Sequence, residues 1–117
     1  MKEYILRKGI KIEAEEEGSG EIALKDSTVR IRYNLALSKG DVVQKGIVLT
    51  FDLFRRRVVA GLRYGVEGMR VGGRRRVRVS PHLGYGERGW GEEIPANAVL
   101  IFDVELLAVI SYPDSDK

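Results

Sequence analysis

The feature that most constrains this chain is a period of two. In TVRIRYNLAL, residues 28–37, Val29, Ile31, Tyr33, Leu35 and Leu37 alternate with Arg30, Arg32 and Asn34. Successive side chains of a strand point to opposite sides, so this pattern specifies a half-buried β-strand. The same period returns in IVLTFDLF, residues 47–54, through Ile47, Leu49, Phe51 and Leu53. It returns again in RRRVRVS, residues 74–80, where Val77 and Val79 oppose Arg76 and Arg78. The apolar run AVLIFDVELLAVI, residues 98–110, suits a central strand covered on both faces. Weaker strands are expected from Ile10 to Ala14 and from Glu21 to Leu24.

One segment breaks this rhythm. Val59, Leu62, Val66 and Met69 recur every three or four residues, which predicts a short helix near residues 58–66. Gly65 and Gly68 weaken it in isolation, so it must be held against a sheet, and Gly72-Gly73 then turns the chain into the next strand. HLGYGERGWGEEIPAN, residues 82–97, is too long for a plain connector and reads as a binding flap. Many strands and one helix predict an α+β fold, a twisted antiparallel β-sheet wrapped around one short α-helix. Residues 1–110 are expected to form one domain and residues 111–117 a polar C-terminal tail.

Composition narrows the function. The chain has 117 residues, 44% hydrophobic and 32% charged, a globular balance. No apolar run approaches the ~18 residues of a spanning helix, so no membrane role is expected. The amino terminus interrupts every apolar stretch with charge, unlike a secretory signal, so a cytoplasmic location is the expectation. Cysteine is absent, which excludes disulfides and thiolate metal sites. No metal or cofactor is expected. His82 is the sole histidine and reads as a loop residue rather than a general base, while Glu15-Glu16-Glu17 reads as a solvated turn. GVEGMRVGG lacks the lysine-serine or lysine-threonine ending of a phosphate loop. Net charge is only +3, yet arginines cluster in Arg55-Arg56-Arg57 and in Arg74-Arg75-Arg76 with Arg78. These clusters read as a solvated sheet face in preference to a nucleic-acid surface.

What remains is an aromatic set: Tyr33, Phe51, Tyr85, Trp90 and Phe102. Phe51 reads as core, whereas Tyr85 and Trp90 stand in the glycine-rich flap. The stretches VRIRYNLAL, VVAGLRYGVEGMRVGGRRRVRVSPHLGYG and EIPANAVLIFDVELL occur in this order over residues 28–108. In this order and spacing the chain resembles the FKBP-type peptidyl-prolyl cis-trans isomerases. That resemblance implies an antiparallel sheet around a short helix, with a pocket between them that takes a proline ring and the residue before it. It implies catalytic roles for Tyr33, Val59, Tyr85 and Phe102: Tyr33 and Phe102 as walls, Val59 through its N–H and Tyr85 through its hydroxyl. It implies substrate contacts at Val43, Leu49, Val58, Leu62, Trp90 and Ile94, with Leu62 as the floor.

The departures from the family pattern are local. Val43-Gln44 replaces the usual phenylalanine-aspartate pair, Leu49 replaces a common phenylalanine, and the segment between Gln44 and Leu49 is shorter than usual. The aspartate ordinarily contacts a pocket tyrosine, so its replacement implies a weakened pocket and weakened binding of macrolide inhibitors. The partners implied are proline-containing polypeptides.

Isomerisation breaks no covalent bond. The barrier of about 18–20 kcal/mol comes from amide resonance, so an apolar pocket with positioned donors suffices and no charged dyad is needed. An active isomerase and a catalytically weak module that binds a protein partner both fit these residues.

Overall fold

The computed structural model describes residues 3–110, and the polar tail expected at 111–117 lies outside them. Six strands form one sheet: β1 (Tyr4–Arg7), β2 (Ile10–Glu16), β3 (Thr28–Leu37), β4 (Val42–Asp52), β5 (Arg74–Val79) and β6 (Leu100–Ile110). Their order across the sheet is β1-β2-β5-β6-β3-β4, and every pairing is antiparallel. The one α-helix among the described residues, α1, is Ala60–Val66. The fold is α+β, as the switch of period predicts.

Register turns the sequence alternation into a core. Leu37, Leu100, Val79 and Ile10 form one row across four strands, and Leu35, Phe102, Val77 and Ile12 form the next. All eight are buried. A third row reads Tyr33, Val104, Arg75, Glu15, so two charged groups enter the inner face. The helix lies on this face, antiparallel to β5. A Cβ on Gly61 would collide with the Val79 side chain, and one on Gly65 would sit 3.0 Å from Val77 Cγ1. The helix glycines therefore allow close approach to the sheet. Below them Arg75 donates from Nη1 to Gly65 O at 3.0 Å and to Glu67 O at 2.9 Å. These are carbonyls at the helix end, where a cation is favoured.

Several expectations need correction. The strand expected at 47–54 begins at Val42 and ends at Asp52, because Arg55 N–H bonds back to Asp52 O and turns the chain, leaving Phe54 exposed. The strand expected at Glu21 to Leu24 is a single bridge between Ile22 and Arg70; its backbone instead meets the turn after the helix, through Ala23 N–H to Met69 O and Gly68 N–H to Ala23 O. β6 is covered on both faces only at Leu100, Ile101 and Phe102, and Asp103 is already exposed. Glu15 and Glu16 belong to β2 rather than to a turn, and Glu15 is drawn inward by Arg75. β1 had no sequence expectation at all.

Candidate functional site

The residues implied by the resemblance come from β3, β4, the loop before α1, α1 itself, the flap and β6, and all but Trp90 belong to the apolar cluster or pack against it. Tyr33, Leu62, Ile94 and Phe102 are buried in the main apolar cluster, and Val43, Leu49, Val58, Val59 and Tyr85 pack against it with part of their surface in solvent. The Tyr33 and Phe102 rings lie 5.7 Å apart at 58°, a tilted aromatic wall. Leu62 faces the same cluster from the first turn of α1. Trp90 is 55% exposed and stands apart from the cluster, yet its ring lies 6.1 Å from that of Tyr85. It forms the lip of the site rather than its wall.

The flap owes its shape to local bonds. It holds two 3-10 turns, Pro81–Leu83 and Gly86–Arg88, then a bridge in which Trp90 N–H donates to Ile94 O at 2.8 Å and Ile94 N–H to Trp90 O at 3.1 Å. Gly89 at φ +64 makes the approach, since a Cβ there would strike Ile94 O. His82 is exposed in the first turn, away from any acid-base partner among the described residues.

Two donors are left open at this site. Val59 is the helix N-cap at φ −58 and ψ 145, and its carbonyl takes bonds from Leu62 N–H and Arg63 N–H. Its own N–H has no acceptor among the described residues. The Tyr85 hydroxyl likewise makes no hydrogen bond among the described residues. Burial raises the Tyr85 hydroxyl above its usual range; Tyr33 is raised by burial first and by the neighbouring Tyr85 second. Both therefore remain protonated donors at neutral pH.

Gln44 overturns one expectation. The pocket contact expected to be lost with the aspartate is kept: Tyr33 O–H donates to Gln44 Oε1 at 2.8 Å. A bulge makes this reachable. Tyr33 pairs with Ile47, so strict alternation would set Lys45 opposite Leu35, but Gln44 takes that place. Gly46 at φ +66 absorbs the extra residue while its N–H bonds Asn34 Oδ1 at 2.7 Å. Ile47, opposite Tyr33, joins the cluster as a residue that motif matching passed over. Its signal was the alternation Ile47, Leu49, Phe51.

A separate depression lies on the outward face of the sheet, among Arg32, Asn34, Arg74, Arg76, Asp103 and Glu105. Tyr33 also borders it, but its other lining side chains are mostly charged and pair with one another, so it does not suit a prolyl ring. Among the described residues no acidic or histidine group is arranged to hold a metal ion, and no helix is long and apolar enough to cross a membrane.

Comparison with known proteins agrees with this geometry. The family model for FKBP-type peptidyl-prolyl cis-trans isomerase matches residues 20–107. The chain is 43% identical over 105 residues to FK506-binding protein 4 of Aspergillus fumigatus, covering 87% of this chain but only 21% of that protein, so it spans about a fifth of that relative's length. It is 34% identical over 106 residues to FK506-binding protein 1A of Neurospora crassa, covering 86% of this chain and 88% of that one. Among solved structures, AtFKBP13 superposes with a TM-score of 0.83 at 27% identity, over 94% of this chain and 100% of that one. FkpA from Escherichia coli does so at 0.79 and 33% identity, over 91% of this chain and 50% of that one. The chain belongs to the FKBP-type peptidyl-prolyl cis-trans isomerase family.

Proposed function

We propose that this chain catalyses cis-trans isomerisation of Xaa-Pro bonds in unfolded or loosely structured polypeptides. The observation that carries the reading is the tilted Tyr33–Phe102 pair in the same apolar cluster as Leu62, together with two donors unpartnered among the described residues, Val59 N–H and Tyr85 O–H. A prolyl ring against the aromatic wall leaves water, which solvates the planar, more dipolar amide better than the twisted one. The donors hold the flanking carbonyls while the bond turns, so the rotation is made from a fixed geometry. Neither step requires a proton to move. The reaction needs no acid-base pair, and the raised tyrosines stay donors throughout the neutral range.

The same site supports binding of an FK506-type macrolide, the ligand in the names of the relatives, with lower affinity than a pocket bearing the phenylalanine-aspartate pair. Val43 offers less apolar surface than phenylalanine. Gln44 supplies a neutral acceptor where a carboxylate would form a charge-assisted bond, roughly twice as strong.

The test is a protease-coupled or NMR exchange assay on a short Xaa-Pro peptide. Unaided prolyl exchange takes about 10–100 s at 25 °C, so even a weak catalyst shortens it measurably. We expect a rate above background, lowered by Tyr85→Phe and raised by Val43→Phe with Gln44→Asp. A single wall or polar contact, at about 1–3 kcal/mol, corresponds to roughly one order of magnitude or more in rate. No rate above background, with none restored by the double replacement, would leave a partner-binding module in its place.

A further inference from the structure

The loop between β4 and α1 carries Phe54-Arg55-Arg56-Arg57 directly into Val58 and Val59. All four residues of the run are exposed. Arg55 is tied down: its Nε lies 3.1 Å from Asp52 Oδ2, and its guanidinium sits 5.6 Å from the centre of the Phe54 ring. Arg56 and Arg57 make no ion pair, hydrogen bond or ring contact with any described residue. Every arginine of β5, by contrast, has an acidic partner. The other exposed segment beside the site residues, the flap, carries exposed Glu87, Glu92 and Glu93 against a single Arg88. The rim is thus basic at the helix entry and acidic at the flap.

Resting on the isomerase reading above, we infer that Arg56 and Arg57 select prolyl bonds flanked by acidic residues. The reasoning is one of reach. Arg57 is two residues from the N–H that would hold a substrate carbonyl, and extended chain advances about 3.3–3.6 Å per residue. A substrate side chain two or three residues from the proline therefore passes within an arginine's length of the loop. Arginine meets carboxylate with a planar fork of donors, and with no acid to displace among the described residues, these two guanidiniums can do so. A chain running the other way would bring its acids to the flap carboxylates, so the preference has a direction.

The experiment compares isomerisation of short peptides that share one Ala-Pro bond and carry a Glu-Glu, Gln-Gln or Lys-Lys pair, placed before or after the proline. Exposed ion pairs are weak and screened, so we expect kcat/KM for the glutamate peptide to exceed that of the glutamine peptide by about threefold to tenfold at low ionic strength, in one placement. Added salt should erase the difference, and in Arg56→Gln/Arg57→Gln the ratio should fall to near unity. A ratio of unity in the unmodified chain, or a preference that survives the double replacement, overturns the inference. If the glutamate peptide has no advantage but a short single-stranded oligonucleotide binds and loses binding in the variant, the loop contacts nucleic acid and the inference is again overturned. Absence of any rate on the glutamine peptide sinks the isomerase reading instead. The inference is then decided by the affinities of the same peptides in fluorescence anisotropy, where equal Kd for glutamate and glutamine forms counts against it.

Discussion

Two arginine runs of similar composition meet opposite surroundings. Arg74, Arg75, Arg76 and Arg78 lie on β5, between β2 and β6, and those neighbours bring Glu13, Glu15, Asp103 and Glu105 into range from distant parts of the chain. Arg78 Nε to Glu13 Oε2 at 2.8 Å joins residues 65 apart in sequence. Arg55, Arg56 and Arg57 lie on a loop rather than between two strands, and among the described residues only Arg55 pairs with an acid. A run of like charge thus acquires meaning from what register sets beside it. On a central strand it becomes a lattice of pairs; on a loop at a site entrance it stays available to a ligand.

The sharpest way to break this contrast is at Arg75. Its side chain is only 6% exposed, it bonds Glu15 Oε2 at 2.7 Å, and it holds two carbonyls at the end of α1. Replacing one partner of a buried pair strands the other charge, so Arg75→Leu should cost about 3–5 kcal/mol in urea unfolding. Arg75→Leu with Glu15→Gln should recover part of that loss, since the stranded carboxylate is gone. A loss under about 1 kcal/mol for the single variant would show that β5 holds its arginines no more firmly than the loop does.

A smaller effect is expected at Glu13, and it depends on pH. The hydrogen bond from Arg78 holds its carboxyl below the usual glutamate range, with Arg78 and Arg76 charges adding to the effect against the opposing pull of burial. A depressed folded value contributes stability that is present above the unfolded value and lost as pH falls through the folded one. Urea midpoints of Glu13→Gln should therefore lie below those of the unmodified chain near neutrality. The gap should begin to close as pH falls through the unfolded glutamate value, about 4.3, and vanish only below the depressed folded one, where both states are protonated. A gap that is constant with pH would remove the ion pair from the explanation.

The smallest effect belongs to the loop. Arg56→Gln/Arg57→Gln should change unfolding stability by no more than about 0.5 kcal/mol, as for surface residues without partners. A larger loss would mean that these arginines serve the fold, and the comparison between the two runs would collapse.

Much of this molecule was legible before its coordinates. β3 occupies the bounds that alternation set, Thr28–Leu37, because one buried face fixes a strand's phase. Helix α1 fell within its expected range because no other segment has its period. That Tyr33, Leu62, Ile94 and Phe102 are apolar-cluster residues was legible through their motif spacing. Arg75 was readable too: counting back by twos from Val79 and Val77 places it inside, but the charge of the side chain argued the other way. Gln44 was not readable, because the bulge at Gly46 reverses the phase between Ile47 and Gln44, and only geometry shows that reversal. The partners of Glu15 were hidden for a similar reason, since β2 shifts register between Ile12 and Ala14. β1 is four residues long, too short for a period to declare itself.

The seat of α1 on β5 limits how this chain can be changed. Exchanging a helix glycine for alanine ordinarily stabilises by removing freedom from the unfolded chain. At Gly61 that remedy is closed, because the added methyl would occupy the space of Val79. The helix and the strand share one volume, so a carbon added to the first has to be taken from the second. Positions 61 and 79 are therefore free to drift only as a couple. A designer seeking a firmer helix, and so a firmer Val59, would need to trim Val79 in the same step.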